Sequence, residues 1–259
     1  MDANALASDS SNPVANDALL QEQILDHYRL AGPLLEATFA GDPIVYANFP
    51  QGFGEKPHFV ITGVPLSTQN MLYLVRRAYA IEFQGCAPLA TDEDRLRFAR
   101  ILLTRTHHDQ FHLVREGAER LRRQLHLDNL DAAVVLDGYH GVALWIPLAD
   151  APHAAVVRAW LHKFCDRAVA DAPDLFSTTP LTHDSCHSAL PYSLRGLPDL
   201  PLATPVTWDD FAAMPLPCLA RWFPQHVAQF GDIFAVEVKR IGDQRLPEFP
   251  RPFLTGVLK

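Results

Sequence analysis

The chain has no apolar run approaching the roughly 18 residues that a membrane span requires, so a membrane-spanning helix is excluded. Cysteine is scarce: Cys86, Cys165, Cys186 and Cys218 are widely scattered. With no signal-peptide pattern at the start, that scatter points to reduced thiols and a cytoplasmic protein rather than a disulfide framework. Basic charge is also short, with 22 Lys and Arg against 30 Asp and Glu and a net charge of −8. Nucleic-acid binders are usually basic overall, so this balance leaves room only for a local positive patch. What is present is an ordinary globular composition, 48% hydrophobic and 20% charged over 259 residues. Such a chain buries a substantial core as one large domain, or as one domain with a small appendage.

Residues 1 to 17 are small, polar and aperiodic and read as a flexible leader, leaving 18–259 as a single domain. Asn16 and Asp17 can cap a following helix. Leu19, Leu20, Ile24, Tyr28, Leu34 and Leu35 recur at helical spacing, interrupted at Gly32-Pro33. Ile44 to Tyr46 and His58 to Ile61 read as short strands, and Tyr79 to Gln84 as a buried strand. Thr91 to Asp94 caps a helical region expected to reach Leu127. Ala132 to Val135 and Val142 to Ile146 read as two strands joined by the turn Leu136-Asp-Gly-Tyr-His-Gly141. Ala151 to Ala172 is an amphipathic helix with Val156, Trp160, Phe164 and Ala168 on one face, the aromatics being core. A capped helix starts at Trp208, and Ile233 to Val238 reads as an apolar strand.

The densest chemistry lies between His183 and Phe211. Asp184 follows an apolar lead-in, and Leu190-Pro-Tyr-Ser-Leu-Arg195 offers a hydroxyl and a guanidinium on a proline-stiffened turn. A carboxylate that holds a metal and a fork that holds a phosphate would use such groups, while an ordinary loop with a surface ion pair explains them equally simply. Between Arg95 and Arg123, eight arginines face three acids. Arg115, Arg120, Arg122 and Arg123 are the candidates to track a phosphate backbone, against the alternative of a solvated helix face. His108 and His112, or His162 with Cys165, fit no standard zinc pattern. His183, Asp184 and His187 leave open a metal-dependent hydrolase.

Ala189-Leu-Pro-Tyr-Ser-Leu-Arg195 and then Pro201-Leu-Ala-Thr-Pro-Val-Thr-Trp-Asp-Asp210 resemble the end of the polymerase domain of bacterial end-joining ligase D. That domain belongs to the archaeo-eukaryotic primase superfamily. Its Ala-Pro-Tyr-Ser-(Val/Leu)-Arg run leads into Ser-Thr-Pro-Leu-x-Trp-(Asp/Glu)-Glu. The resemblance extends over about 79–210. It includes the turn at Asp137 to Gly141, where Gly138, Gly141, Pro147 and Leu148 match, while Asp137, His140 and Ala143 stand where the family has Ser, Lys and His. Ala172-Pro-Asp-Leu-Phe176 is similar to the segment that ends the next helix in the family.

The resemblance implies an α/β (α+β) primase-polymerase fold, a mixed central sheet flanked by helices. It also implies template-directed nucleotidyl transfer in DNA repair, non-homologous end joining or primer synthesis. In that scheme a central strand delivers an Asp-x-Asp pair, and Glu82-Phe83-Gln84 takes its place; the alternative is a strand whose Glu82 faces solvent. The implied metal set is Glu82, Gln84 and Asp184 holding Mg²⁺ or Mn²⁺, with Glu82 and Asp184 catalytic. Gly138, His140, Gly141, Ser193 and Arg195 would hold the nucleoside triphosphate, and gapped or single-stranded DNA would be the partner. Gln84, Asp137 and Ala143 each remove a charge or donor that this reaction uses. The expected activity is therefore weakened, and the alternative is an inactive primase-fold protein that binds nucleic acid or a protein partner. The accompanying ligase and nuclease modules are not found in the sequence, so a stand-alone protein is expected.

Overall fold

A computed structural model describes residues 13–48, 58–85, 94–104, 111–137, 141–182, 189–195, 202–213 and 232–247. Helix α1 (Pro13–Phe39) runs unbroken through Pro33 and begins inside the stretch expected to be a leader. Packing of Ile24, Tyr28, Ala31, Leu35 and Phe39 against the core offsets what a proline costs a helix interior. Strands β1 (Pro43–Asn48) and β2 (His58–Pro65) pair antiparallel, and β3 (Ala80–Gln84) lies on the other side of β1. The order β2-β1-β3 leaves β3 at the edge of this three-stranded sheet. Helix α2 (Thr68–Ala78) links β2 to β3 and packs on α1; Ser67 caps it by accepting the Asn70 N–H at 3.2 Å.

The second sheet has the order β7-β4-β6-β5-β8, from β4 (Phe98–Thr104), β5 (Ala133–Leu136), β6 (Gly141–Pro147), β7 (Leu181–Thr182) and β8 (Thr204–Val206). Every ladder among the described residues is antiparallel, so the expected α+β class holds, with the strands divided between two antiparallel sheets. Side chains alternate across this sheet. Ile101, Leu103, Val134, Val142 and Leu144 face a core shared with α3 (Phe111–Leu127), α4 (Ala154–Asp171), α5 (Pro173–Thr178) and α6 (Trp208–Ala213). Leu102, Ala133, Val135, Ala143 and Trp145 face the core shared with α1, α2 and β3. There Phe39, Phe98, Trp145 and Phe234 sit with ring centroids 5.5 to 5.9 Å apart. Each such pair contributes about 0.5–1.5 kcal/mol beyond burial.

Two expected elements take a different form. Within the stretch expected to be one long helix from Thr91, the described residues include strand β4 and then helix α3. Leu102 and Leu103 point to opposite cores, so the strand is buried on both faces, Arg100 included, and shows no period-2 pattern. Ile233 to Val238 is not a strand but the start of helix α7 (Ile233–Ile241), capped by Asp232, whose carboxylate accepts the Ala235 N–H at 3.0 Å. Phe234, Val238 and Ile241 meet the core at helical spacing, and that packing overrides the β-branched preference.

The segment 189–195 joins the two sheets. Ala189 bridges Gln84, the Leu190 N–H donates to the Phe83 carbonyl at 2.9 Å, and Leu194 bridges Leu202 just before β8.

Candidate functional site

On β3, Ile81 and Phe83 enter the core, and Glu82 and Gln84 share a face two residues apart. The Gln84 side-chain amide donates to Glu82 Oε1 at 2.6 Å. Arg195, arriving from the 189–195 segment, donates through Nη1 to the same Glu82 oxygen. Asp137, at the end of β5, continues the face of Ala133 and Val135, and its Oδ1 lies 3.3 Å from Arg195 Nε. All four residues are buried, none more than 7% exposed. One guanidinium thus stands between carboxyl groups from the two sheets. Burial pushes the Asp137 carboxyl above the usual carboxylate range, and the nearby Arg195 charge opposes the shift only in part. Gln84 Oε1 is buried with no hydrogen-bond partner among the described residues.

The turn that carries Arg195 is held by more bonds than its length requires. Tyr192 has φ 64°, a left-handed conformation costly for a bulky residue. It is fixed from three directions. Its N–H donates to the Ala203 carbonyl at 2.7 Å, its carbonyl meets His27 Nε2 at 2.9 Å, and its hydroxyl donates to Asp232 at 3.2 Å while accepting the Phe234 N–H at 3.0 Å. Ser193, expected to face a triphosphate, has no exposed surface. Its hydroxyl accepts the Phe83 N–H at 2.7 Å and lies 3.2 Å from the Tyr28 hydroxyl, so it ties the turn to β3. Tyr28 donates to the Ile81 carbonyl at 2.5 Å and accepts the Leu194 N–H at 3.0 Å. Sequence reasoning treated Tyr28 only as packing and missed His27 altogether. The available signal was a tyrosine on the apolar stripe of α1, whose buried hydroxyl must find partners.

Gly141, expected in the nucleotide-binding turn, is the first residue of β6, and the structure gives it a packing reason. A Cβ there would stand 1.7 Å from the Leu103 carbonyl oxygen of β4. Gly138, His140 and Asp184 lie outside the described residues, as does any convergence of Glu82 with Asp184. Three of the four expected nucleic-acid arginines make contacts within the domain. Arg115 donates to the Ala212 carbonyl at 3.1 Å, Arg120 pairs with Asp171 at 3.2 Å, and Arg122 pairs with Asp131 at 3.1 Å while lying 4.4 Å over Trp208. They fasten α3 to its neighbours; Arg123 is exposed. His162 is exposed and faces Asp166 at 3.7 Å, whereas Cys165 is buried, its thiol pushed up to about 12 by burial and by the Asp166 charge.

A pair of divalent ions needs clustered oxygen donors with net negative charge. Glu82 and Gln84 stand on an edge strand of the smaller sheet, not on a central strand. The strand beside β6 in the larger sheet is β4, and its residues on the Asp137 face are Arg100, Leu102 and Thr104, with Ala143 next to Leu102 on β6. No carboxylate is among them. The Glu82 carboxylate is engaged by a guanidinium and an amide N–H, and no group of three His, Cys, Asp or Glu placed to hold a metal occurs among the described residues. The described residues therefore do not fit a two-ion centre.

Comparison with known proteins identifies the frame in which these residues sit. Residues 62–234 match the family described as LigD, primase-polymerase domain. Among solved structures, the polymerase domain of Mycobacterium tuberculosis ligase D in complex with DNA superposes with a TM-score of 0.67 at 18% identity, over 93% of this chain and 98% of that one. No curated protein matches the chain.

Proposed function

Because this chain belongs to the LigD primase-polymerase domain family, we propose that it binds DNA as a primase-polymerase-like domain whose nucleotidyl transfer is weakened to the point that binding is its main contribution. The observation that carries this reading is the Arg195 guanidinium engaged by Glu82 and Asp137 inside the fold. A group so held is not presented to an incoming triphosphate. Ser193, turned toward β3 and Tyr28, acts as a positioning residue for the same turn. The related polymerase domain solved with DNA supports nucleic acid as the partner class.

The overall charge of −8 requires that contact with phosphates be local. Helix α2 offers the elements of such a contact, with exposed Arg76 and Arg77 in its last turn and the Tyr73 ring 60% exposed one turn before. Arginines neutralise phosphates, and an aromatic face stacks on unpaired bases. Glu36, Thr68 and Leu72 line the same surface groove.

Anisotropy on gapped and single-stranded DNA, run beside primer extension with Mn²⁺ and ribonucleotides, tests the proposal. Salt-dependent binding that falls in Arg76→Glu/Arg77→Glu, with extension trace or absent, is the expected result. Efficient extension overturns the weakened transfer. No binding even at low salt overturns the DNA partner and leaves a protein partner as the remaining role.

A further inference from the structure

The family resemblance calls for divalent ions, and the residues around Arg195 do not fit them. We propose that the Arg195 guanidinium is this domain's resident cation, placed between Glu82 and Asp137 so that the fold closes without a divalent ion at this position. The inference rests on these side chains alone and stands whether or not the domain binds DNA.

Three features support it. First, the positive group reaches both sheets: Nη1 donates to Glu82 on the small sheet, and Nε lies 3.3 Å from Asp137 Oδ1 on the large one, an ion pair with no hydrogen bond from Nε. One buried charge thus faces a carboxyl group from each sheet at close range. Second, Gln84 stands where a second β3 acid would face the same cleft, and its amide donates to Glu82 at 2.6 Å. A carboxylate at position 84 would repel Glu82 unless a cation of higher charge lay between them. The amide removes that need, so a single positive charge suffices. Third, the guanidinium is delivered by a turn that Tyr28, Ser193 and the left-handed Tyr192 hold in place. A divalent ion added to this arrangement would meet a buried positive charge at close range, and burial strengthens that repulsion.

Removing the guanidinium should expose a cation site that the wild type lacks, built from Glu82, Asp137 and the Gln84 carbonyl oxygen. The experiment titrates Mn²⁺ into chelator-treated protein, read by Mn²⁺ electron paramagnetic resonance and by the shift in melting temperature. Wild type should show no Mn²⁺ affinity that Glu82→Gln abolishes. Arg195→Ala should melt lower without metal, regain stability with Mn²⁺, and bind it about tenfold or more tightly than wild type. Glu82→Gln/Arg195→Ala should lose that gain, and Arg195→Lys should stay refractory to the metal. If Arg195→Ala does not fold, Arg195→Gln takes its place, and the wild-type arm is decisive in either case. Two results overturn the proposal: a wild-type Mn²⁺ site that disappears in Glu82→Gln, or a folded Arg195 variant with no gain in Mn²⁺ affinity. Neither depends on DNA binding, so failure here is distinguishable from failure of the DNA-binding proposal.

Discussion

Arg195 Nε and Asp137 Oδ1 lie 3.3 Å apart across the junction between the two sheets, and the other end of the same guanidinium donates to Glu82. The contact joins positions 58 residues apart in sequence through a group that is buried on both sides. Breaking a buried pair leaves an uncompensated charge, whereas replacing both members with neutral groups removes the charge altogether. Arg195→Met should therefore cost about 3–5 kcal/mol of stability in urea unfolding, and Glu82→Gln/Arg195→Met should recover most of that loss. Equal destabilisation in the single and double variants would show that the guanidinium contributes packing rather than charge balance.

Asp137 itself should make stability depend on pH in the direction opposite to an ordinary paired carboxylate. Burial raises its folded pKa above the unfolded value, so the fold favours the protonated carboxyl. That contribution is full below the unfolded value and is lost as pH rises through the folded one. Asp137→Asn should thus gain stability relative to wild type as pH climbs through that window, measured by denaturant titration across the acid to neutral range. A difference that stays constant with pH would mean that Arg195 fully compensates the burial.

His27 works the other way. Burial lowers its pKa from 6.5 to about 4, opposed by its bond to the Tyr192 carbonyl. The unfolded chain takes up the proton first, so stability is present above pH 6.5 and is lost as pH falls toward 4, by about 3 kcal/mol in total. His27→Gln, which keeps an N–H donor for Tyr192, should flatten this part of the stability profile, as read by urea midpoints at neutral and mildly acidic pH.

Gly141→Ala should destabilise by about 3 kcal/mol or more, because the added methyl meets the Leu103 carbonyl and β4 must move away from β6. Thermal melting checks this. An unchanged melting temperature would mean that the two strands separate there at no cost.

The β5–β6 hairpin and the Pro-Tyr-Ser-Leu-Arg segment were legible in the sequence because each depends on local features, two short apolar runs close in the chain and a stiffened bend at Pro191. Strand β4 was not legible, because a strand buried on both faces has no alternation and its Ala, Arg and Leu residues are also good helix formers. Helix α7 was hidden by the β-branched residues Ile233, Val236 and Val238, although Phe234 and Ile241, seven residues apart, fall on one helical face. The meaning of Arg195 was least accessible. Its partners come from β3 and β5, and only the fold brings them to one guanidinium; the sequence motif suggested a phosphate instead.

A crystal structure of the domain with gapped DNA, a ribonucleoside triphosphate and Mn²⁺, read by anomalous scattering, would show where the guanidinium and the metal sit. DNA should lie on the surface, Arg195 should remain between Glu82 and Asp137, and no Mn²⁺ peak should fall within coordination distance of Glu82. Arg195 swung out onto the triphosphate, with Mn²⁺ seated on Glu82, would overturn Arg195 as the resident cation.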